Sequence, residues 1–369
     1  MDCLVIQGGN RLRGTIPISG SKNAALPILA ASILCEGETI LHNVPDLQDV
    51  RQMCALLERL GVSTERGEGG TLKLRVEDEM NCHAPYELVS RMRASVCVMG
   101  PLLAKRRRAQ VSMPGGCAIG DRPVSLHTRG LAALGADFDL VNGDMVLKAK
   151  KMRGAEIFLG GPFGSTVTGT TNVLMAATLA EGRTVIESAA CEPEVVDLAE
   201  FLNKCGARIA GHGTPRITVD GVASLHGAEH SVIADRIETG TFAIATAVTN
   251  GETLLQGGRL DHLTAVVDCL RRVGVIIDKA EKGVAVSSAR RLEAVDVTTQ
   301  PYPGFPTDLQ AQTMVLLSLA DGNSIVTEKV FPDRFLHVAE LNRMGGQLRK
   351  EGPTVIVQGV KRLVAAPVM

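Results

Sequence analysis

The sequence predicts an α/β protein of two domains, built from a repeated module in which helix, strand, helix and strand follow one another. Two regularities lead to this prediction. The pattern Leu, two residues of any kind, an apolar residue and Gly occurs five times at intervals of 74, 71, 68 and 71 residues, ending at Gly61, Gly135, Gly206, Gly274 and Gly345. A turn glycine precedes four of these by 24, 24, 23 and 23 residues, at Gly37, Gly182, Gly251 and Gly322.

Each Leu…Gly pattern ends an amphipathic helix, because its apolar residues share one helical face, as do Val195, Leu198 and Phe201. The glycine then provides a left-handed C-terminal cap, and an apolar strand follows. The helix before the other turn glycine is rich in alanine or leucine and also leads into a strand. The second module departs from this pattern, since Arg106–Ala109 replaces the glycine turn and Ser112–Ser125 forms a glycine-rich loop.

Modules of this kind bury their helices by packing together, so we expect three in each domain. The first domain is predicted at residues 22–229, with three modules. The second is predicted at residues 1–21 plus 230–369, where Cys3 to Ile18 forms a strand pair and only two modules are present. A sixth module would lie beyond Met369, so we expect the chain to be a fragment of an active enzyme with one apolar face uncovered.

Composition excludes several functions. The formal net charge is −1 and only 3% of the 369 residues are aromatic, which disfavours nucleic-acid and anionic-lipid partners. The nine cysteines are dispersed without metal-ligand spacing, as is typical of reduced thiols in a cytosol. No signal-peptide pattern opens the chain, and the longest apolar helical run, residues 24–34, is too short to cross a bilayer. We therefore expect a cytoplasmic protein with no metal and no membrane partner.

Two glycine-containing segments carry reactive side chains. Ser19–Asn23 precedes a helix, whose start and free N–H groups attract an anion, so Lys22 either holds that anion or is the exposed lysine of an ordinary turn. Pro114–Pro123 sets Cys117 among three glycines, five residues before Arg122. A mobile thiol near a guanidinium suits a nucleophile or proton donor, although most free cysteines are small core residues.

Further candidates have equally plain structural explanations. Asp308 precedes an apolar helix, so it is either a helix-capping acid or a carboxylate that takes a proton from a substrate hydroxyl. The glycine-rich segment Gly160–Gly169 also leads into a helix and suits a diphosphate bound by backbone donors. Arg93 and His127 are explained as well by a solvated helix charge and by a packed structural histidine.

Six motifs, in order along the whole chain, resemble those of the UDP-N-acetylglucosamine 1-carboxyvinyltransferases. They are Ser19–Pro27 (SGSKNAALP), Met92–Ser95 (MRAS), Pro114–His127 (PGGCAIGDRPVSLH), Asp235–Thr241 (DRIETGT), Pro303–Gln312 (PGFPTDLQAQ) and Phe335–Gly345. The resemblance implies the enolpyruvyl transferase fold, two inverse α/β barrels with helices inside and sheets outside, and an active site in the cleft between them. It also implies phosphoenolpyruvate and UDP-N-acetylglucosamine as substrates, no cofactor, and the first committed step of peptidoglycan synthesis. The sequence leaves the oligomeric state open, with a monomer favoured.

The resemblance assigns roles residue by residue. Cys117 is implied as the general acid and the target of fosfomycin, and Asp308 as the base that faces the sugar 3-hydroxyl. The implied phosphoenolpyruvate contacts are Lys22, which is also implied as catalytic, Asn23, Arg93 and Arg122. The implied contacts of the sugar nucleotide are Arg122, Pro123, Val124, Ser125, Leu126, Gly164, Ser165, Thr166, Val167, Asp308 and Val330.

Two departures from the family pattern leave alternatives open. Thr166-Val167-Thr168 stands where the family has Ser-Val-Gly, which crowds the expected diphosphate loop. The family also continues past Met369 with another active-site arginine. The missing segment leaves open a truncated, non-catalytic protein that binds a UDP-sugar. A second alternative is a 3-phosphoshikimate enolpyruvyl transferase, which shares the fold and the donor, although the cysteine loop and Ser19–Pro27 argue against it.

Overall fold

The computed structural model describes residues 3–113, 124–289 and 291–369, and the chain divides into two compact units. One unit is Ser19–Ala234, and the other combines Met1–Ile18 with Asp235–Met369. The domain limits expected at residues 22 and 229 remain predictions.

The helices are numbered along the described chain. They are α1 Lys22–Ala31, α2 Gln48–Arg59, α3 Tyr86–Val89, α4 Met99–Arg106, α5 Ser125–Ala133, α6 Val167–Ala177, α7 Pro193–Lys204, α8 Arg236–Val248, α9 Thr264–Val273, α10 Gln310–Leu317 and α11 Leu336–Arg343. Short 3-10 helices occupy Ser32–Leu34, Glu68–Gly70, Arg93–Val98 and Thr307–Leu309.

The strands are numbered in the same way. They are β1 Arg13–Pro17, β2 Cys35–Glu36, β3 Glu38–His42, β4 Val62–Arg66, β5 Leu72–Val76, β6 His83–Ala84, β7 Arg108–Ser112, β8 Asp137–Val141, β9 Asp144–Lys148, β10 Glu156–Phe158, β11 Gly160–Gly161, β12 Gly164–Ser165, β13 Arg183–Glu187, β14 Arg208–Ala210, β15 Arg216–Asp220, β16 Leu225–His226, β17 Glu229–Ser231, β18 Glu252–Gln256, β19 Ile276–Ala280, β20 Gly283–Ser287, β21 Val297–Thr298, β22 Asn323–Thr327, β23 Gln347–Glu351 and β24 Thr354–Gln358.

Each module carries one four-stranded sheet. In the unit Ser19–Ala234 the strand orders are β17-β3-β5-β4, β6-β7-β9-β8 and β10-β13-β15-β14. In the other unit they are β1-β18-β20-β19 and β21-β22-β24-β23. In every case the first strand pairs in parallel with the second, and the remaining pairs are antiparallel. The module is therefore the same structure repeated five times in the described residues.

The predicted order of helix, strand, helix and strand was incomplete. After the second helix the chain forms a hairpin of two strands, such as β4 with β5, and a further strand joins each sheet in parallel. The missed strand β5 buries Leu72 and Leu74 but exposes Lys73, so its short alternation of polar and apolar residues was a weak signal. The expected strand pair at Cys3 to Ile18 was also wrong, since β1 is the one strand described there.

The left-handed caps expected at the ends of the amphipathic helices are confirmed. The φ angles are 83°, 101°, 100°, 102° and 85° at Gly61, Gly135, Gly206, Gly274 and Gly345. At the upstream turn of the module, the left-handed residue is Arg107 in the second module, with φ 59°, and Asn250 in the fourth, with φ 49°. Gly251 is required for a different reason, because a Cβ there would lie 2.3 Å from the carbonyl oxygen of Leu12.

The apolar helices form the core of each unit, and the strands cover them with one buried face. In α1 every residue from Ala24 to Ala31 is buried, and in α6 so is every residue from Gly169 to Ala177. Strands such as β15 and β20 alternate buried and less buried residues. Within the three described ranges, no helix combines the length and the hydrophobicity that crossing a bilayer demands.

Candidate active site

The predicted anion loop Ser19–Asn23 lies at the start of α1. Ser21 caps the helix by accepting a hydrogen bond from the Ala24 amide at 3.4 Å, and the first turn contains no acidic residue. Lys22 forms an ion pair with Asp49 of α2, Nζ to Oδ2 2.9 Å, and Asn23 is exposed. The lysine charge thus has a carboxylate partner within its own unit, and an anionic ligand at Lys22 would share the ammonium group with Asp49.

Close backbone packing holds this loop in place. The Ser21 amide donates to the carbonyl of Ile233 at 2.7 Å, and Gly20 forms a bridge with Ala234. A Cβ on Gly20 would lie only 1.7 Å from the carbonyl oxygen of Asn43, so only glycine fits there. The rigid support keeps the start of α1 at a fixed place in its unit.

The first turns of α5 and α6 meet at the predicted nucleotide segments. Thr166 caps α6 by accepting from the Gly169 amide at 3.2 Å, and neither helix has an acidic residue in its first turn. The hairpin of β11 and β12 leads into α6, and the Leu126 side chain covers it, since a Cβ on Gly161 would lie 3.2 Å from Leu126 Cδ1. Two positive helix ends therefore lie side by side, an arrangement that favours a bound anion.

A buried polar network joins these helix starts to the helix that begins at Arg93. Asn172 of α6 donates from Nδ2 to the Val96 carbonyl at 3.1 Å and lies 3.0 Å from Nδ1 of His127, while its Oδ1 accepts from the Gly100 amide at 2.7 Å. His127 Nε2 lies 3.2 Å from the hydroxyl of Thr168. The histidine and the asparagine are both buried. Thr168, the departure from the family pattern, thus directs its hydroxyl to His127.

In the other unit, Asp308 lies in the 3-10 turn Thr307–Leu309 before α10. Its Oδ1 accepts a hydrogen bond from Nη1 of Arg334 at 2.6 Å, and the same Nη1 donates to the Thr307 hydroxyl at 3.1 Å. The Asp308 side chain is 41% exposed, so a ligand can approach the carboxylate from solvent. An exposed carboxylate held by one guanidinium is able to accept a proton from a substrate hydroxyl.

Val330 belongs to the same cluster as Asp308. Its amide donates to Oε1 of Glu328 at 2.8 Å, and Oε2 of Glu328 accepts from the Thr307 hydroxyl at 2.9 Å. The structure therefore brings together the two predicted substrate residues of this unit through one carboxylate. Sequence reasoning missed Glu328 and Asn172, because an acidic residue after a strand and an asparagine in a helix carry no signal of burial.

Three predicted site residues, Cys117, Arg122 and Pro123, lie outside the described residues. The eight described cysteines are free thiols. Burial raises the pKa of Cys54, and it raises the pKa of Cys269 to about 11. Because the thiolate is the reactive form, these two cysteines are poor nucleophiles at neutral pH. Within the described ranges there is no group of three or more His, Cys, Asp or Glu side chains able to hold a metal ion.

His337 of α11, which lies near Arg334, makes the free energy of unfolding depend on pH. Burial, and then the positive charge of Arg334, lower the pKa of His337 from 6.5 to about 4. Between those values the unfolded chain binds a proton that the folded chain does not, so the free energy of unfolding falls as the pH falls from 6.5 to 4. Allowing for solvent screening of a partly exposed ring, we expect a loss of about 1 to 2 kcal/mol from this residue.

Urea unfolding at pH 7 and pH 4.5 tests this expectation by comparing the wild type with His337→Gln. The variant should lose less stability than the wild type between the two pH values. Equal losses in both proteins would contradict the assignment of the shift to His337.

The enolpyruvyl transferase NikO from Streptomyces tendae superposes with a TM-score of 0.87 at 22% identity, over 96% of this chain and 83% of that one. At that identity the likeness concerns the fold, which is the enolpyruvyl transferase fold of repeated inverse α/β modules. The fold class predicted from the sequence is confirmed.

Sequence comparison defines the group more narrowly. The family model of EPSP synthase (3-phosphoshikimate 1-carboxyvinyltransferase) matches residues 6–369. The UDP-N-acetylglucosamine 1-carboxyvinyltransferases of Nitratidesulfovibrio vulgaris and Methylacidiphilum infernorum are 53% and 47% identical over this whole chain, which covers 88% and 87% of their lengths. The chain belongs to the family of UDP-N-acetylglucosamine 1-carboxyvinyltransferases, within the wider EPSP synthase family, as its motifs predicted.

Proposed function

We propose that this protein transfers the enolpyruvyl group of phosphoenolpyruvate to the 3-hydroxyl of UDP-N-acetylglucosamine and releases phosphate. The observation that carries the proposal is the identity of 47% to 53%, along the entire chain, with relatives that bear the name of this activity. The reaction would serve peptidoglycan synthesis in the cytoplasm and would use the two substrates without a cofactor.

The reaction has two steps in this proposal. Asp308 takes the proton of the sugar hydroxyl as its oxygen bonds to C2 of phosphoenolpyruvate, while the Cys117 thiol delivers a proton to C3. The tetrahedral intermediate then loses a proton from C3 and expels phosphate, which restores the double bond. Lys22, Arg93 and Arg122 would hold the phosphate and carboxylate charges, and such fixed cations supply much of the rate.

The described contacts fit these roles. Lys22 lies in the first turn of α1, where the helix start is positive, and its ion pair with the half-buried Asp49 is accessible to solvent, so an anion can compete for the ammonium group at modest cost. The adjoining starts of α5 and α6 suit a diphosphate, and Thr166, whose hydroxyl caps α6, lies at that place. The exposed carboxylate of Asp308 suits a base that meets substrate from solvent.

The 3-phosphoshikimate alternative is kept because the matching family model carries that name. Phosphate release from phosphoenolpyruvate, measured with UDP-N-acetylglucosamine and separately with shikimate 3-phosphate, separates the two acceptors. We expect release with the sugar nucleotide. Phosphate release with shikimate 3-phosphate alone would show that shikimate 3-phosphate is the acceptor. If calorimetry shows that the sugar nucleotide binds but no phosphate is released, the protein is a binding protein and not an enzyme.

A further inference from the structure

The carboxylate of Glu328 is buried at the centre of a cluster of neutral hydrogen-bond donors. Glu328 follows β22 directly and is 1% exposed. It accepts five hydrogen bonds: on Oε1 from Thr299 Oγ1 at 2.6 Å, the Val330 amide at 2.8 Å and the Phe331 amide at 2.9 Å, and on Oε2 from Thr307 Oγ1 at 2.9 Å and Gln310 Nε2 at 3.4 Å. Every one of these donors is uncharged, so the hydrogen bonds that stabilise the carboxylate come from neutral groups.

The two oxygens of Glu328 hold different segments. Oε1 holds the loop that contains Val330, and Oε2 holds the turn that contains Asp308, because Thr307 comes before Asp308 and Gln310 comes two residues after it. Gln310 Nε2 also donates to the carbonyl of Arg334 at 3.2 Å. The backbone of Asp308 and the backbone of Arg334, whose guanidinium binds the Asp308 carboxylate, are therefore both tied to one oxygen of Glu328.

The Thr307 hydroxyl is the link between the buried and the exposed carboxylate. It donates to Glu328 and accepts from Nη1 of Arg334, the atom that also donates to Asp308. A hydroxyl has one proton, so the negative charge of Glu328 fixes the direction in which Thr307 donates. The lone pair of Thr307 is left for Arg334, which fixes the guanidinium against Asp308.

We propose that Glu328 is a positioning residue that orients Asp308 as the base through Thr307, Gln310 and Arg334. The inference rests on the proposed function, because it takes Asp308 to be the group that accepts the hydroxyl proton. A base that is displaced by about 1 Å loses on the order of 100-fold in rate, so orientation of this carboxylate bears directly on kcat.

Glu328→Gln should affect the donors to Oε1 and the donors to Oε2 differently. The glutamine oxygen can still accept from Thr299, Val330 and Phe331, whereas its amide nitrogen faces Thr307 and Gln310, which are donors themselves. The turn that carries Asp308 should therefore lose its support while the loop of Val330 keeps it. We expect kcat for phosphate release to fall about 10-fold or more, with the KM for UDP-N-acetylglucosamine within about threefold of the wild type.

A matched pair of variants tests the same link without a change of charge. Each variant removes one hydroxyl that donates to Glu328. In Thr307→Val the lost hydroxyl also accepts from the guanidinium of Arg334, and in Thr299→Val it also accepts from the Lys329 amide. We expect kcat of Thr307→Val to be at least about fivefold below that of Thr299→Val. Asp296→Asn is the charge control, since the Asp296 carboxylate accepts from the Ile325 amide at 2.8 Å on an exposed strand edge of the same unit.

A double-mutant cycle with Asp308→Asn distinguishes positioning from folding. If Glu328 acts through Asp308, Glu328→Gln should cause no further loss of kcat in the Asp308→Asn background. An equal loss in both backgrounds, or a wild-type kcat in Glu328→Gln and Thr307→Val, would overturn the inference. Failure of the proposed function is recognised separately, because the wild-type protein itself would then release no phosphate from these substrates.

Discussion

Asp308→Asn is expected to lower kcat for phosphate release by about 10²- to 10⁴-fold, the usual contribution of a positioned general base. An amide cannot take a proton from the sugar hydroxyl, so the hydroxyl oxygen would have to attack unassisted. The fold should persist, since the pair with Arg334 is partly exposed and contributes about 1 kcal/mol at most. Steady-state kinetics with both substrates, beside a thermal melt, measure the two effects separately.

Asp333→Asn is the control for this loss. Asp333 lies one residue before Arg334, carries the same charge, and its side chain is 85% exposed. Its variant should keep kcat within about twofold of the wild type. An Asp308→Asn protein that is folded and keeps most of its activity would show that Asp308 serves only the turn before α10, the structural explanation of this acid.

Cys117→Ser is expected to abolish covalent modification by fosfomycin. The reagent carries an epoxide, which a thiolate opens by forming a carbon–sulfur bond as a carbon–oxygen bond breaks, and a serine hydroxyl stays un-ionised at neutral pH. Cys54, Cys82, Cys191 and Cys269 are poor substitutes because burial raises the pKa of their thiols. With a pKa of about 11, roughly one Cys269 thiol in ten thousand is ionised at pH 7.

Intact-mass measurement follows this adduct even in a variant without activity. Cys54→Ser is the matched control, because burial raises the pKa of Cys54 and the same atom is exchanged. That variant should gain one adduct at the wild-type rate, and peptide mapping should locate it at Cys117. An adduct on the Cys117→Ser protein, or one that maps to another cysteine, would remove Cys117 from its proposed role.

The repeat made most of the fold predictable. The periodic Leu…Gly pattern reports a helix with one apolar face and a left-handed end, and both properties are local, so they are written in the sequence itself. The second strand of each hairpin escaped prediction because a segment of five residues, such as Leu72–Val76, is too short for its alternation to stand out in the sequence. The replacement of the turn glycine by Arg107 was located correctly from the break in the pattern.

The sequence predicted which residues belong to the candidate site, whereas the tertiary structure decided which side chains bind to them. Sequence marked Lys22 and Asp308 by their place before a helix, and motif resemblance added their roles. The sequence did not indicate that Asp49, Arg334 and Glu328 would be partners of the site residues. Asp49 is 27 residues from Lys22, and Arg334 is 26 residues from Asp308. Only folding brings each pair within hydrogen-bond distance.

By itself, the sequence determined the paired helices of each module, their five-fold repetition and the family, because periodicity and motifs survive without coordinates. Only the tertiary structure decided which polar groups are buried and what satisfies them, as at Asn172 and Glu328. The physical reason is that a buried charge is tolerated only where donors from distant segments converge on it. That convergence is a property of the packed chain and not of any stretch of it.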